Sequence, residues 1–233
     1  MPIKRLLALA LFCTAFVPAP FALASGLNTL TKEEESSGWK LLFDGKSFNG
    51  WRTFKDGGKI GAGWKIEDGL LHKLPNVTSG DIITESAYTD FEFSWEWKLA
   101  EKGNNGVKYF IIPERKAAIG HEYQMIDDTT VKDDLSKTAS FYLIVAPMPD
   151  KPLKPMGEWN QSRIVVKGTH VEHWLNGVKV TEYECGDAKI LEQVAKTKFK
   201  SALKFGEKVT GHILLTDHKD ECWFRNIKLR ELK

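Results

Sequence analysis

The segment most suited to chemistry is residues 120–127, which read GHEYQMID. Residues two apart on a strand share a face, so Glu122 and Gln124 point outward together when Tyr123 and Met125 enter a core. A carboxylate beside an amide can remove a proton and hold a hydroxyl group. Strand faces in contact with solvent are polar in any case, so the pair alone does not identify a site.

Two histidines extend this set of candidates. His121 precedes Glu122, and His218 follows residues 212–216, where Ile213 and Leu215 are expected on the core side. Imidazole titrates near neutral pH and binds divalent metals readily. Both histidines are therefore candidates for acid–base work or for metal binding.

Tryptophans suggest a carbohydrate ligand, because eight are many for 233 residues and sugar rings stack on indole. In residues 91–98, Trp95 and Trp97 are expected in the core, since they alternate with Glu96 and Lys98 on the opposite side. The tryptophans that are freer to face a ligand are Trp51, Trp159 and Trp174.

Short alternating segments with Gly, Asn and Asp between them run from residue 39 onward and predict antiparallel β structure. Asn176-Gly177 is the signature of a two-residue hairpin, and residues 67–69 predict another turn. Residues 189–201 are the single helical candidate. Many short strands without βαβ alternation predict an all-β sandwich or jelly roll with one short helix. The predicted strands are 63–71 (a hairpin), 91–98, 106–112, 122–126, 141–145, 162–167, 170–175, 178–183, 212–216 and 222–230.

The N-terminus reads as an export signal over residues 1–24: Lys4 and Arg5, an apolar run, then Ala22-Leu23-Ala24 before Ser25. We therefore expect a bacterial periplasmic or extracellular protein, with residues 25–233 as one domain. With 33 Lys+Arg against 31 Asp+Glu, no strong field favours nucleic acid. No apolar run after the signal reaches the ~20 residues of a membrane span.

Two cysteines remain after the signal, Cys185 and Cys222. In an oxidising compartment they could form a disulfide. The alternative is two unpaired buried thiols, and the sequence leaves both open. Neither their spacing nor a nearby histidine cluster indicates a zinc site.

Eight segments in order across residues 38–230 resemble the 3-keto-disaccharide hydrolase domain family. They are GWKLLFDGKSFNGW (38–51), GWKIEDGLL (63–71), GDIITESAYTDFEFSWEWKL (80–99), GNNGVKYF (103–110), GHEYQMID (120–127), KPMGEWNQSRIVVKG (154–168), HWLNGVKVTEY (173–183) and GHILLTDHKDECWFRNIKLR (211–230). The resemblance implies a concanavalin-like, laminin-G-like jelly roll of two antiparallel sheets. The chain departs from the family pattern at Phe110 and at Thr216, two residues that are expected on the active face.

The resemblance implies an exported hydrolase or lyase that acts on a glycoside already oxidised to a ketone at C3. The ketone acidifies the C2 proton, a base removes it, the C1 substituent leaves, and water can add afterwards. One base and one enolate-stabilising group suffice, whereas a conventional glycosidase needs two carboxylates. Related concanavalin-like glycosidases carry E-x-D-x-x-E, and this chain has Gln124 in place of the second acid.

Candidate roles follow from this expected chemistry. Glu122 is the first candidate for base or metal ligand, with Gln124 and His121 beside it in the catalytic set. Asp127 and His218 are the candidate ligands of a divalent metal ion, whose presence the sequence leaves open. The candidate substrate-binding residues are Trp51, Glu96, Lys98, Glu158, Trp159, Asn160, Arg163 and Arg225.

Two other functions fit the same residues. A carbohydrate-binding module without catalysis would use the same fold and aromatic side chains. An ordinary glycoside hydrolase would pair Glu122 with Glu96 or Asp127 and would cleave unoxidised glycosides.

Overall fold

A computed structural model describes residues 26–55 and 58–233 of the chain. The predicted export signal, residues 1–24, lies outside the described residues. Within them, two α-helices occur, α1 (Lys32–Ser36) and α2 (Ala188–Ala195), and α2 alone exceeds one and a half turns. No described helix is long and apolar enough to cross a membrane.

Strands account for most of the regular structure, because the sequence alternates apolar and polar residues over short runs. In β6 (Phe91–Leu99), Trp95 and Trp97 are fully buried while Glu96 and Lys98 are half-buried on the other face. The other strands of the described residues are β1 (Lys40–Leu41), β2 (Trp51–Thr53), β3 (Trp64–Glu67), β4 (Leu70–Lys73), β5 (Ile82–Thr84), β7 (Asn104–Ile111), β8 (His121–Ile126), β9 (Asn160–Lys167), β10 (His170–Leu175), β11 (Val178–Glu184), β12 (His212–Leu215) and β13 (Cys222–Glu231).

The described strands form two antiparallel sheets, as the predicted all-β jelly-roll sandwich requires. The long sheet has the order β11-β10-β9-β6-β13-β4-β3, with β1 also paired to β13. The short sheet has the order β2-β5-β12-β7-β8. Strands adjacent in space are often far apart in sequence, so pairing depends on the whole chain.

The core lies between the two sheets and is rich in aromatic side chains. Trp95 of the long sheet meets Tyr123 of the short sheet edge to face, with ring centroids 5.0 Å apart. The indole nitrogen of Trp97 donates to the Ser162 hydroxyl at 2.8 Å, and that hydroxyl donates to the Tyr123 hydroxyl at 2.8 Å. These bonds satisfy polar atoms that burial would otherwise leave without partners.

Two hairpins form where the turn residues predicted them. Asn176 and Gly177 join β10 to β11 with φ of 46° and 84°, the positive values that a tight right-twisted hairpin needs. Asp68 and Gly69 join β3 to β4 with φ of 51° and 75°.

Two predicted elements are corrected. Residues 141–145 form only isolated bridges, Phe141 with Tyr123 and with Val145, because this segment turns back on itself instead of extending. The helix predicted over 189–201 ends at Ala195, and residues 196–206 continue as turns. Of the two alternatives for the cysteines, the structure has the second: Cys185 and Cys222 are both free and buried. Burial raises the pKa of Cys185 to about 12.

Candidate functional site

The face of the short sheet that points away from the core carries one continuous row of side chains. Direct register pairs Arg52 with Ile83, Ile83 with Leu214, Leu214 with Lys108 and Lys108 with Glu122. The row therefore changes from apolar on β5 and β12 to charged on β7 and β8. The polar end is where chemistry can occur.

A small apolar cluster closes the other part of this face. Ile83, Ile111 and Leu214 are buried against one another, and Phe54 and Ala118 pack over them. This second hydrophobic cluster is separate from the main core and lies on the opposite side of the short sheet. It restricts the open part of the face to β7, β8 and the end of β12.

The open part is a cleft of about 310 Å³. One described carboxylate lines it, that of Glu122, together with two amides, an imidazole, two ammonium groups and two aromatic rings. The lining residues are Asn104, Lys108, Ala118, Ile119, Glu122, Gln124, Tyr142, Lys198, Phe199 and His218.

Glu122 projects from the middle of β8 and lies across the neighbouring strand β7. A Cβ added to Gly106 would come within 2.4 Å of the Glu122 Oε1 atom, so the absence of a side chain at Gly106 gives the carboxylate its place. The Lys108 ammonium lies 3.9 Å from Glu122 Oε2 and also donates to the Ala118 carbonyl at 3.2 Å. A carboxylate and an ammonium group thus stand side by side in the cleft.

Amide and imidazole groups occupy the other end of the cleft. The Gln124 side chain donates to the Asn104 side-chain oxygen at 3.4 Å, and exposed His218 lines the cleft near them. The side chain of Asp217, the residue before His218, is 2% exposed and pairs with buried Lys73 at 2.9 Å. Asp217 also accepts from the Ser79 and Gly80 amides, which fixes the turn that carries the imidazole.

Two loop segments form the walls. One contains Tyr142, and the other contains Lys198 and Phe199, with the Lys198 ammonium 4.9 Å from the Tyr142 ring centroid and 5.2 Å from that of Phe199. Arg115 connects the second wall to the loop beside Ala118. Its guanidinium donates to the carbonyls of Phe110 and Ile119 on one side and of Leu203 and Lys204 on the other, at 2.6–3.1 Å.

Residues 38–230 match the 3-keto-alpha-glucoside-1,2-lyase-like domain. The chain belongs to this family. A curated 3-keto-disaccharide hydrolase of Bacteroides thetaiotaomicron is 31% identical over 246 aligned positions, which cover 90% of this chain and 83% of that protein. The predicted resemblance is confirmed, and this 3-keto-alpha-glucoside-1,2-lyase-like domain belongs among sugar-active enzymes of the glycoside hydrolase type.

Solved structures from Parabacteroides distasonis have the same fold. One candidate glycosyl hydrolase superposes with a TM-score of 0.80 at 34% identity, covering 89% of this chain and 100% of that one. A second has a TM-score of 0.65 at 26% identity and covers 83% and 99%. The family fold therefore extends over nearly all described residues.

For the lyase-like domain, the structure brings three of the predicted site residues together in the cleft: Glu122, Gln124 and His218. The predicted place of His121 in the catalytic set is corrected. This histidine is fully buried among aromatic rings on the core side of β8, because it alternates with Glu122. Phe110 is also corrected, since its backbone has φ of 58° and its ring enters the core.

Most predicted substrate-binding residues of the lyase-like domain lie on the outer face of the long sheet. Glu96 and Lys98 point away from the core on the long sheet, and Glu122 points away from the core on the short sheet. These residues therefore lie on opposite outer faces of the sandwich. Sheets packed in this way are about 10 Å apart. The prediction that they share one site with Glu122 is wrong. The residues on or beside this outer face are Glu96, Lys98, Trp159, Arg163 and Arg225.

These outer residues interact mainly with one another. The Arg225 guanidinium pairs with Glu96 at 2.7 Å and lies 4.0 Å from the Trp159 ring centroid. The Lys98 ammonium lies 4.2 Å from the Trp223 ring centroid. Mutual charge and cation–π contacts account for this surface.

Three further predicted residues are placed elsewhere by their contacts. Trp51 is buried in the core and donates to the Leu42 carbonyl at 2.5 Å, so it cannot stack on a sugar. Asn160 is buried and accepts from the Lys154 amide and the Asn176 side chain. Glu158 is exposed in the loop before β9, on the side of the long sheet. None of the three lines the cleft.

The two predicted metal ligands, Asp127 and His218, do not both line the cleft. Asp127 caps a turn by accepting from Thr129, and it also accepts from the Lys102 amide at 3.0 Å. These hydrogen bonds, above all those from the Thr129 side chain, lower the pKa of Asp127. His218 lines the cleft and Asp127 does not.

Within the described ranges, the group of three residues able to hold a metal is His170, Glu172 and Glu182, on the long sheet and away from the cleft. The Lys179 ammonium already bridges its two carboxylates, at 3.2 Å from Glu172 and 2.6 Å from Glu182. Among residues of these types the cleft lining contains Glu122 and His218.

Several cleft residues were not predicted. Lys108 could have been found from the sequence, because it alternates with Val107 and Tyr109 in a predicted strand. Tyr142, Lys198 and Phe199 lie on loops distant in sequence, and no periodicity connects them to Glu122.

Proposed function

We propose that this protein cleaves 3-oxo glycosides by base-assisted elimination in the cleft of the short sheet. The observation that carries the proposal is the pairing of one carboxylate with one ammonium group, Glu122 with Lys108 at 3.9 Å, in a cleft lined by no second described carboxylate. Elimination next to a ketone needs one base and one cation. Ordinary glycoside hydrolysis needs two carboxylates across the bond.

The proposed first step is proton transfer from C2 of the sugar to the Glu122 carboxylate. The C2–H electron pair forms a C2=C3 enolate, and its negative charge on the C3 oxygen is balanced by the Lys108 ammonium. The ketone then re-forms as C1=C2 is made and the C1–O bond breaks. The departing oxygen takes a proton from His218, which lies at the exposed end of the cleft.

Hydration completes the reaction when the net result is hydrolysis. Water adds across C1=C2: its oxygen bonds to C1, one of its protons passes to His218, which gave a proton to the leaving group, and the proton held by Glu122 returns to C2. Gln124 and Asn104 hold ring hydroxyls by their amide groups, and Tyr142 and Phe199 supply apolar wall for the sugar carbons. The likeness to a 3-keto-disaccharide hydrolase and to the lyase-like family supports an oxidised sugar as substrate.

The test compares a 3-oxo glucoside with its unoxidised parent, using protein that begins near residue 25. Aglycone release from the oxidised sugar alone supports elimination, and a substrate deuterated at C2 should react more slowly because that bond breaks. Release from both sugars with no deuterium effect would indicate ordinary hydrolysis. Binding without release would indicate a carbohydrate-binding module. A blank without protein corrects for spontaneous elimination.

Two variants of matched chemistry test the role of Glu122. Glu122→Gln should reduce release by about 10²–10⁴-fold, the usual contribution of a positioned base. Glu158→Gln makes the same change on an exposed carboxylate at the long sheet and should leave the rate unchanged. Equal effects of the two variants would exclude Glu122 as the base.

We also propose that residues 1–24 direct export, as the charged start, apolar run and Ala22-Leu23-Ala24 pattern favour. Sequencing the N-terminus of protein recovered from the periplasmic and external fractions tests this. A new N-terminus near Ser25 in either fraction supports export. Intact protein confined to the cytoplasm contradicts it.

A further inference from the structure

Four side chains form a polar network inside the aromatic core. Tyr109 of β7, His121 of β8, His173 of β10 and Tyr183 of β11 are all buried, and His121, Tyr109 and His173 have no exposed surface. The His121 Nδ1 atom lies 2.8 Å from the Tyr183 hydroxyl, which lies 2.6 Å from the Tyr109 hydroxyl. The Tyr109 hydroxyl lies 2.8 Å from His173 Nε2. These residues are called the Tyr–His network below.

Backbone groups at its two ends fix the direction of every hydrogen bond. The Gly206 amide can only donate, and it lies 3.1 Å from His121 Nε2, so that nitrogen accepts and the proton is on Nδ1. The Ala139 carbonyl can only accept, and it lies 3.0 Å from His173 Nδ1, so that nitrogen carries the proton. Tyr183 then donates to Tyr109, and Tyr109 donates to His173 Nε2.

In this arrangement the Tyr183 and Tyr109 hydroxyls each donate one hydrogen bond and accept one. No hydrogen-bond donor is placed against another donor. Both imidazoles must be neutral for the arrangement to hold. Burial lowers the pKa of His121 well below its usual range, with the Arg115 and His173 charges adding to the effect. Burial lowers the pKa of His173 to about 4. Both rings are therefore neutral at neutral pH.

The two backbone groups at the ends of the network belong to the two walls of the cleft. Gly206 follows the turns that carry Lys198 and Phe199, and Ala139 starts the segment that carries Tyr142. The Thr181 hydroxyl also donates to the Ala139 carbonyl, at 2.8 Å. Between these ends, His121 is the immediate neighbour of Glu122 on β8.

We propose that the Tyr–His network is a positioning device that holds both walls of the cleft at a fixed distance from the strand carrying Glu122. Its members touch no substrate and act through the wall residues Tyr142 and Phe199. The kinetic test of this inference rests on the proposed function, whereas its structural test does not. His121 thereby has a role different from the catalytic one that the sequence suggested.

The structural test needs no variant and no substrate. Nitrogen-15 NMR of the intact protein should show His121 and His173 both neutral and both protonated at Nδ1 at pH 7.5. A ring protonated at Nε2, or a charged ring, would overturn the direction of the network and with it the proposal.

The functional test uses Tyr183→Phe, which removes the hydroxyl between His121 and Tyr109. The matched control is Tyr88→Phe, at a buried tyrosine outside the network. Tyr183→Phe should speed amide hydrogen exchange at Gly206 at least tenfold and raise KM several-fold with kcat nearly unchanged. Tyr88→Phe should do neither. A folded Tyr183→Phe protein with unchanged Gly206 exchange overturns the proposal, whether or not the protein cleaves a 3-oxo glycoside.

Discussion

The Glu122 carboxylate occupies the space that a side chain at Gly106 would fill. The hypothetical Cβ lies 2.4 Å from Glu122 Oε1 and 3.2 Å from its carboxyl carbon. Because the obstructing atoms are the end of a flexible side chain, a methyl group can be accommodated by moving the carboxylate. The position of the proposed base is therefore set by a missing side chain on the neighbouring strand.

Gly106→Ala should leave the protein folded and lower its activity. Displacing a reacting group by about 1 Å can reduce the rate on the order of 10²-fold, so we expect a loss of that size in kcat. The control is a double-mutant cycle: in the Glu122→Gln background, the same change should cost nothing further. Additive losses in that cycle would show that Gly106 acts by some route other than Glu122.

Arg115 should matter for the cleft wall as well as for stability. Arg115→Ala removes four donated hydrogen bonds to backbone carbonyls, and we expect a loss of at least about 2 kcal/mol in unfolding free energy. Because the wall with Phe199 is released, KM should rise more than kcat falls. Urea denaturation and steady-state kinetics measure both, with the exposed neighbour Glu114→Gln as the control. Unchanged KM in a folded Arg115→Ala protein would contradict this account.

Mild acid should destabilise the fold through the buried histidines. The pKa of His173 is lowered to about 4 by burial, while an unfolded histidine titrates near 6.5. Below pH 6.5 the unfolded state thus binds more protons, so stability falls as pH falls from about 6.5 towards 4. His173 alone should account for about 2 kcal/mol between pH 7 and pH 5.

Denaturation at several pH values between 7 and 5 measures this slope. His173→Phe should flatten it, whereas His218→Asn, which removes an exposed imidazole, should leave it in place because both buried rings remain. A His173→Phe protein with the slope of the unsubstituted chain would show that the histidine is not its source.

The Lys73–Asp217 pair should be essential for the turn that carries His218. Both side chains are almost fully buried, with exposed fractions of 0% and 2%. Asp217→Asn would leave a buried ammonium without a counter-charge, a change that usually destabilises by about 3–5 kcal/mol. The comparison is Asp134→Asn, in a surface Lys–Asp pair of 2.6 Å, which should leave the unfolding midpoint unchanged. Similar midpoints for the two variants would contradict a structural role for the buried pair.

The sequence by itself determined the fold class and the face on which Glu122 lies. The alternation Trp95-Glu96-Trp97-Lys98 and the Asn176-Gly177 turn define strands and hairpins through local geometry, because side-chain direction in a strand has a period of two. The same period places Glu122 and Gln124 together on one side of their strand and turns Lys108 to the outer side of its own strand. These are local properties, and any stretch of a few residues contains them.

Tertiary structure decided which outward faces belong to one site. Glu96, Lys98 and Arg225 point out of the long sheet and Glu122 points out of the short sheet, and alternation is identical in both cases. Sheet membership is set by pairing between strands distant in sequence, such as β12 with β7, so it cannot be read from one segment. Likewise, Tyr142 and Phe199 became wall residues only through packing of remote loops.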